Sequence, residues 1–316
     1  ASSPVAASSS PASVAPRSPS PDGSASASPS PTEWAALPAS ASGRTPVFRH
    51  GPRAAEDDDR RRKGEREGRE RDERDERKED ERDREEKRER EEKRDREDGD
   101  EEKVVALTFD AAMSPEDEKR AKGGKRHDNP ALIATLRREK IPATFFMTGV
   151  WAKTYPHQAR TIGRDRLFEV GNLSHSHRAF TPDCEGLKPL DPDERLADVR
   201  KGLAAISAAG VENPTPYFRF PGGCFDDKAR KAIASAKVTA VAGDVNARDT
   251  GVSDPDEIAE RVLKAVRPGS VVILRCDRDR ARATEKAVRH IVPELRERGY
   301  RFVRVSEMIG SAMGRG

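Results

Sequence analysis

Five short runs in the C-terminal part of this chain carry residue types suited to holding cations, moving protons and gripping anions. They are Asp110 with Ala111; Gly171-Asn172-Leu173-Ser174-His175-Ser176-His177; Arg219-Phe220-Pro221-Gly222-Gly223-Cys224; Asp244 through Asn246 to Asp249; and Arg275-Cys276-Asp277. Each follows directly on an apolar stretch. Such switches from apolar to polar mark places where a rigid scaffold presents side chains on loops. Carboxylates, a histidine pair, an arginine and cysteines are therefore expected to converge on one face as a site.

The stretches that must position these residues alternate between strand and helix patterns. Residues 104–109, 143–147, 167–170, 217–220, 238–241, 271–274 and 302–305 read as strands. Residues 130–140, 193–208, 227–236, 254–266 and 284–298 carry helical spacing. Such alternation predicts an α/β fold with parallel strands and right-handed crossovers. The number of units predicts a barrel or incomplete barrel rather than an open sheet, with functional residues at the C-terminal strand ends.

Five ordered motifs then carry a resemblance: Thr108-Phe109-Asp110-Ala111-Ala112, residues 142–149 (PATFFMTG), the 171–177 run, residues 218–223 (FRFPGG) and residues 269–274 (GSVVIL). They resemble the motifs of the NodB-homology polysaccharide deacetylases, carbohydrate esterase family four, over nearly all of residues 103–316. The resemblance implies a distorted (β/α) barrel that removes N- or O-acetyl groups from glycans such as chitin oligomers and peptidoglycan. In that family a divalent metal, usually zinc, is held by one carboxylate and two histidines, leaving positions for water and the acetyl carbonyl. A neighbouring Asp takes the proton from that water, and a His on a later strand protonates the leaving amine.

Carried over residue by residue, the resemblance gives a mixed set. Asp110 matches the base, Arg219 the residue that orients it, and Asp249 the second acid of the fourth motif, where Asn246 stands at the first. His177 matches one metal ligand, whereas Ala111 and Leu173 replace the other two. Arg275 replaces the general acid, and a guanidinium stays protonated at any ordinary pH, so it cannot serve as a proton donor. Filling a vacated cation site, Arg275 is expected to pair with Asp249 or Asp110. Pro221, Gly223, Phe180 and Phe225 are the substrate-binding candidates, the two rings placed to stack on a pyranose. Three functions remain open: hydrolysis of glycan acetyl groups, weak or lost; glycan binding without turnover; or a structural module displayed at a surface.

Cys184 and Cys224 fall on loops at the barrel mouth and are expected to form a disulfide, which suits an exported protein. Cys276 is the odd cysteine, and a replacement metal site joining it to His177 and another cysteine stays open. His50, His127, His157 and His290 are expected at the surface, and Trp151 in the packing.

Composition divides the chain. Of 316 residues 34% are hydrophobic and 37% charged, and the apolar ones crowd after Glu102. Residues 1–52, rich in Ser, Pro and Ala, read as a disordered linker. Residues 53–102 alternate Arg and Lys with Glu and Asp and read as a spacer, either a solvent-exposed single helix over 69–98 or a disordered polyampholyte. A net charge of +3 gives no basic field for nucleic acid, and no apolar run is long enough to span a membrane. Linker and resemblance together predict a secreted or cell-wall-associated protein whose partner is an acetylated glycan.

Overall fold

The computed structural model describes residues 36–38, 43–53, 102–184 and 186–314. The expected helix over 69–98 lies outside the described residues. The strands are β1 (Val47–Phe48), β2 (Val104–Ala111), β3 (Ala143–Met147), β4 (Phe168–Asn172), β5 (Tyr217–Phe218), β6 (Thr239–Val241), β7 (Val245–Asn246), β8 (Ser270–Arg275) and β9 (Arg301–Phe302). All pair in parallel, in the order β1-β6-β5-β4-β3-β2-β8-β7, with β9 beside the start of β2. The helices are α1 (Pro115–Lys122), α2 (Pro130–Arg138), α3 (Gly149–Thr154), α4 (Pro156–Gly163), α5 (Arg195–Ala208), α6 (Asp227–Ala232), α7 (Pro255–Ala265), α8 (Thr284–Glu297) and α9 (Val305–Gly314). The result is the expected parallel barrel, left incomplete as a curled half-barrel. Among the described residues no helix is long and apolar enough to cross a membrane.

Parallel strands covered on both faces need apolar residues at nearly every position, and β2 and β3 are buried along almost their whole length. Val105, Leu107 and Phe109 pack outward in one cluster with Leu132 and Leu136 of α2 and Val288, Ile291 and Leu295 of α8. Ala106, Phe146, Leu173, Tyr217, Val241 and Val271 form the inner cluster, closed at its base by Val305, Met308 and Ile309 of α9. The polar ends of the strands are thereby lifted to the opposite rim.

Two expectations about elements are corrected. The apolar run 302–305 leaves the sheet after Phe302 and turns into α9, whose first N–H groups donate to Thr144 Oγ1 (Val305, 3.1 Å) and to the buried Glu169 carboxylate (Ser306, 3.1 Å). Residues 43–52, assigned by composition to the linker, and Arg53, assigned to the spacer, are built into the barrel. β1 registers Val47 with Ala240 and Phe48 with Val241, and the Gly51 N–H donates to the Gly269 carbonyl at 2.8 Å. Arg44 pairs with Asp227 and Arg53 with Asp244, so the strap bridges β6 and the start of β8. Two apolar residues are too little local pattern to declare a strand; the unpaired edge of β6 supplies the rest.

The unexpected helix α1 carries its own start signal. Ser114 and Asp117 form a reciprocal capping box, with Pro115 in the first turn. It projects from the segment after β2 and brings Asp117 toward the mouth.

Candidate functional site

Asp110, next to last in β2, turns into the barrel, and Arg219 follows β5 directly. The Arg219 guanidinium donates to Asp110 Oδ1 (2.8 Å), Thr108 Oγ1 (2.8 Å) and the Val241 carbonyl (3.1 Å). It also lies 4.1 Å from the centroid of the Phe146 ring. Both members of the pair are buried, at 8% exposure for Asp110 and 2% for Arg219. Asp110 is thus held by the residue expected to orient it.

His177 sits at the end of a tight turn in which it and Ser174 take left-handed backbone conformations, φ 54° and 70°. Non-glycine residues rarely adopt them unless their surroundings hold them there. Here Ser174 Oγ accepts the His177 N–H (3.1 Å), and Asp198 Oδ2 accepts the His175 N–H (2.9 Å). His175 lies flat on α3: a Cβ on Gly149 would come within 2.2 Å of its Nδ1, so glycine is required there.

Burial first, and then the Arg275 guanidinium, push the His177 pKa down to about 4, against the pull of Asp110 and Asp117. The imidazole is therefore neutral at pH 7. Because the folded pKa lies below the unfolded value, the unfolded chain binds the proton first, and stability is lost as pH falls from about 6.5 toward 4. Removing the cation by Arg275→Ala is expected to move the imidazole titration upward, read from its ring-proton chemical shifts. An unmoved titration would show that Arg275 does not act on His177.

Two contributors to the centre escaped sequence reasoning. Asp117 is 1% exposed and pairs with both Arg120 and Arg280. Burial raises its pKa, but the Ser114 N–H and the two guanidinium groups more than offset that and hold it below the usual carboxylate value. Asp117 and Arg280 both act electrostatically on His177. The Ser-x-x-Asp capping pattern was the available signal.

The other expected members fall out differently. The Ala111 methyl is buried in the cluster under the helices, and Leu173 fills the inner cluster with Phe146 and Tyr217. Hydrocarbon thus stands at two of the three positions where the resemblance places metal ligands. Among the described residues no group of three or more His, Cys, Asp or Glu is arranged to hold a metal. The residues present do not fit a zinc ion.

The expected pairing of Arg275 with Asp249 or Asp110 is corrected. Asp249 accepts the backbone N–H of Arg275 (2.8 Å) and the Thr284 hydroxyl (2.6 Å), while Asp110 is taken by Arg219. Burial raises the Asp249 pKa, and its role is to pin the end of β8 to α8. The Arg275 guanidinium makes no ion pair among the described residues.

Of the two aromatic platforms, Phe180 is corrected outright, and Phe225 is half-buried. Phe180 is fully buried, edge-on to Phe218 and Phe220. Phe225 stacks on Phe220 at 5.0 Å, with Arg49 of the strap 5.4 Å from its centroid, so neighbours occupy the ring. Pro221 is buried, and Gly223 remains exposed on the mouth loop.

Cys184 and Cys224 form the expected disulfide, with Cα atoms 5.8 Å apart. Gly222 lies against it: its φ is +67°, and a Cβ there would come within 2.5 Å of Cys184 Sγ. The bond closes a sequence separation of 40 residues and ties the 178–190 loop to the Pro221–Gly223 turn. A Cys184→Ser/Cys224→Ser variant is expected to lose about 2–4 kcal/mol in urea denaturation.

Cys276 is buried facing the outer cluster, and burial raises its thiol pKa, so it stays protonated and away from His177. His127, expected at the surface, is fully buried, with Nδ1 3.0 Å from Asp277 Oδ2 and its carbonyl accepting the Trp151 indole N–H at 2.8 Å. His50, His157 and His290 are exposed, and Trp151 is packed, as expected.

Residues 97–241 match the family model described as polysaccharide deacetylase. These residues form a polysaccharide deacetylase domain of the NodB-homology type. A chitooligosaccharide deacetylase of Sinorhizobium fredii is 28% identical over 206 residues, covering 62% of this chain and 87% of that protein. A peptidoglycan-N-acetylglucosamine deacetylase of Bacillus cereus is 28% identical over 211 residues, covering 66% and 89%. A solved structure of a CE4 family pseudoenzyme variant with restored enzymatic activity superposes with a TM-score of 0.54 at 27% identity, covering 66% of this chain and 68% of that one. The wild-type form of that pseudoenzyme, from Bacillus anthracis, gives the same TM-score at 26% identity. This deacetylase-family domain thus has relatives named as enzymes and neighbours named as pseudoenzymes.

Proposed function

We propose that this deacetylase-family domain binds N-acetylated glycans at its mouth without hydrolysing them, and that it works outside the cytoplasm. The observation that carries this reading is the hydrocarbon of Ala111 and Leu173 at two ligand positions, together with Arg275 at the position of the general acid. Hydrolysis of an acetamide needs an activated water, a stabiliser for the oxyanion and a proton for the leaving amine. Asp110 and Arg219 keep the geometry of a base and its orienting partner, but His177 alone holds no metal, and Arg275 donates no proton. The relatives' names, for chitooligosaccharide and peptidoglycan substrates, support an acetylated glycan as the ligand. The disulfide and the Ser- and Pro-rich N-terminal stretch support export.

Acetate release from N-acetylglucosamine oligomers and from peptidoglycan, measured with the full chain and added zinc beside an Asp110→Asn control, tests the reading. Release no greater than the control, together with measurable binding of the oligomers in calorimetry, is the expected result. Release that disappears in Asp110→Asn would establish a working deacetylase and overturn it.

A further inference from the structure

Beside the mouth, two cavities of about 300 Å³ and about 440 Å³ share Arg178, Leu190 and Glu194 and form one divided groove between α1, the 175–178 turn and the start of α5. The first is lined also by His175, Ser176, Asp198 and Lys201, and the second by Asp191 and Arg195. This groove lies outside the Asp110, Arg219 and His177 centre.

Its polar groups are unspent to an unusual degree. Ser176 is 8% exposed and Arg195 7%, yet Ser176 Oγ and Arg195 Nε have no hydrogen-bond partner. A buried polar atom left alone costs about 1–3 kcal/mol, so such atoms mark a place where a polar ligand completes the structure. Arg178, between the two halves, makes no hydrogen bond or ion pair among the described residues, and the same holds for exposed Lys201.

The acidic side chains are mostly engaged. Asp198 accepts the His175 and Ser176 N–H groups, and Asp191 accepts the Asp193 N–H. Glu194 alone is uncommitted and suits a sugar hydroxyl. Arg178, Arg195 and Lys201 face Asp191, Glu194 and Asp198, so the formal charges balance, but Asp191 and Asp198 are tied to backbone N–H groups while the Arg178 fork points to no partner.

We propose that this groove is a second saccharide site, selective for a sugar unit bearing a carboxylate, which Arg178 binds while Ser176, Arg195 and Glu194 meet the hydroxyls. The proposal rests on the glycan-binding reading above for the class of ligand, but not for the place where it binds. A charge-assisted bond to a guanidinium is stronger than a neutral one, and its planar fork matches a carboxylate.

Calorimetric titration of the full chain with a hyaluronan tetrasaccharide and with chitotetraose tests it, since both contain N-acetylglucosamine and only the first carries carboxylates. The hyaluronan fragment is expected to bind about tenfold tighter or more, with affinity falling as salt rises. Arg178→Gln is expected to abolish that preference while leaving chitotetraose binding unchanged, and exposed Lys201→Gln to reduce it. Equal affinities, no binding of the hyaluronan fragment, or a preference surviving Arg178→Gln would each overturn the proposal. Binding of the hyaluronan fragment through Arg178 without binding of chitotetraose would uphold this site and sink the reading of the mouth.

Discussion

An Ala111→Asp/Leu173→His double variant is expected to bind one zinc ion per chain, whereas the native protein and an Arg275→His single variant bind none. The double variant puts back a carboxylate and a second imidazole at the two replaced positions, the donor set that a tetrahedral zinc site needs together with His177 and one position left open. His177 is already neutral at pH 7, so its imidazole gives up no proton on binding. Arg275→His removes a cation but puts back neither missing ligand.

The substitution at position 173 carries a cost, because Leu173 is 1% exposed inside the inner cluster. An unpaired imidazole there is expected to lower the stability of the metal-free variant by about 2–5 kcal/mol. Zinc should then raise it again, by about 2.7 kcal/mol at a hundredfold excess over the dissociation constant. Metal content after dialysis and the melting temperature with and without zinc are the two readouts. Stoichiometric zinc in Arg275→His alone would refute this account of the centre.

Arg219→Met is expected to destabilise the domain by about 3–5 kcal/mol, since it strands the Asp110 carboxylate without its cation. The side chains are 3% and 11% exposed, and the guanidinium also ties Thr108 to the Val241 carbonyl, joining β2 to the end of β6. Met keeps much of the contact with Phe146, so the loss reports chiefly on charge and hydrogen bonds. An Asp110→Asn/Arg219→Met double variant should lose less than the sum of the singles, because neither partner is then left as a buried lone charge. Urea denaturation of the four proteins closes the cycle. A loss below about 1 kcal/mol for Arg219→Met would mean that the carboxylate finds water or another cation, contrary to its buried setting.

Much of the rim could be read directly from the residues. The apolar strands ending in Asp110, Arg219 and Arg275 declare both the parallel sheet and the side on which function sits, because the period of a strand and its burial are local properties of sequence. Ala111, Leu173 and Arg275 likewise stand out by chemistry alone at the positions where the resemblance places ligands and acid, since a methyl or isobutyl group coordinates nothing in any fold. The Cys184–Cys224 pairing was legible from loop position.

What escaped was decided by partners distant in sequence. Phe180 looks like a sugar platform until Phe218 and Phe220 close over it. Arg275 looks like the natural partner of Asp110 until Arg219, 109 residues from that aspartate, is found in its place. Residues 43–52 look like linker until the edge of β6 offers them hydrogen bonds, and Asp117 looks like one more surface acid until α1 turns it toward Arg280. By itself the sequence determined the family resemblance, most of the strands along the chain and the residue types that stand at the rim. Only the tertiary structure decided which charges meet, which rings are covered and where unspent polar groups gather, because hydrogen bonds and burial depend on distances in space that no local pattern encodes.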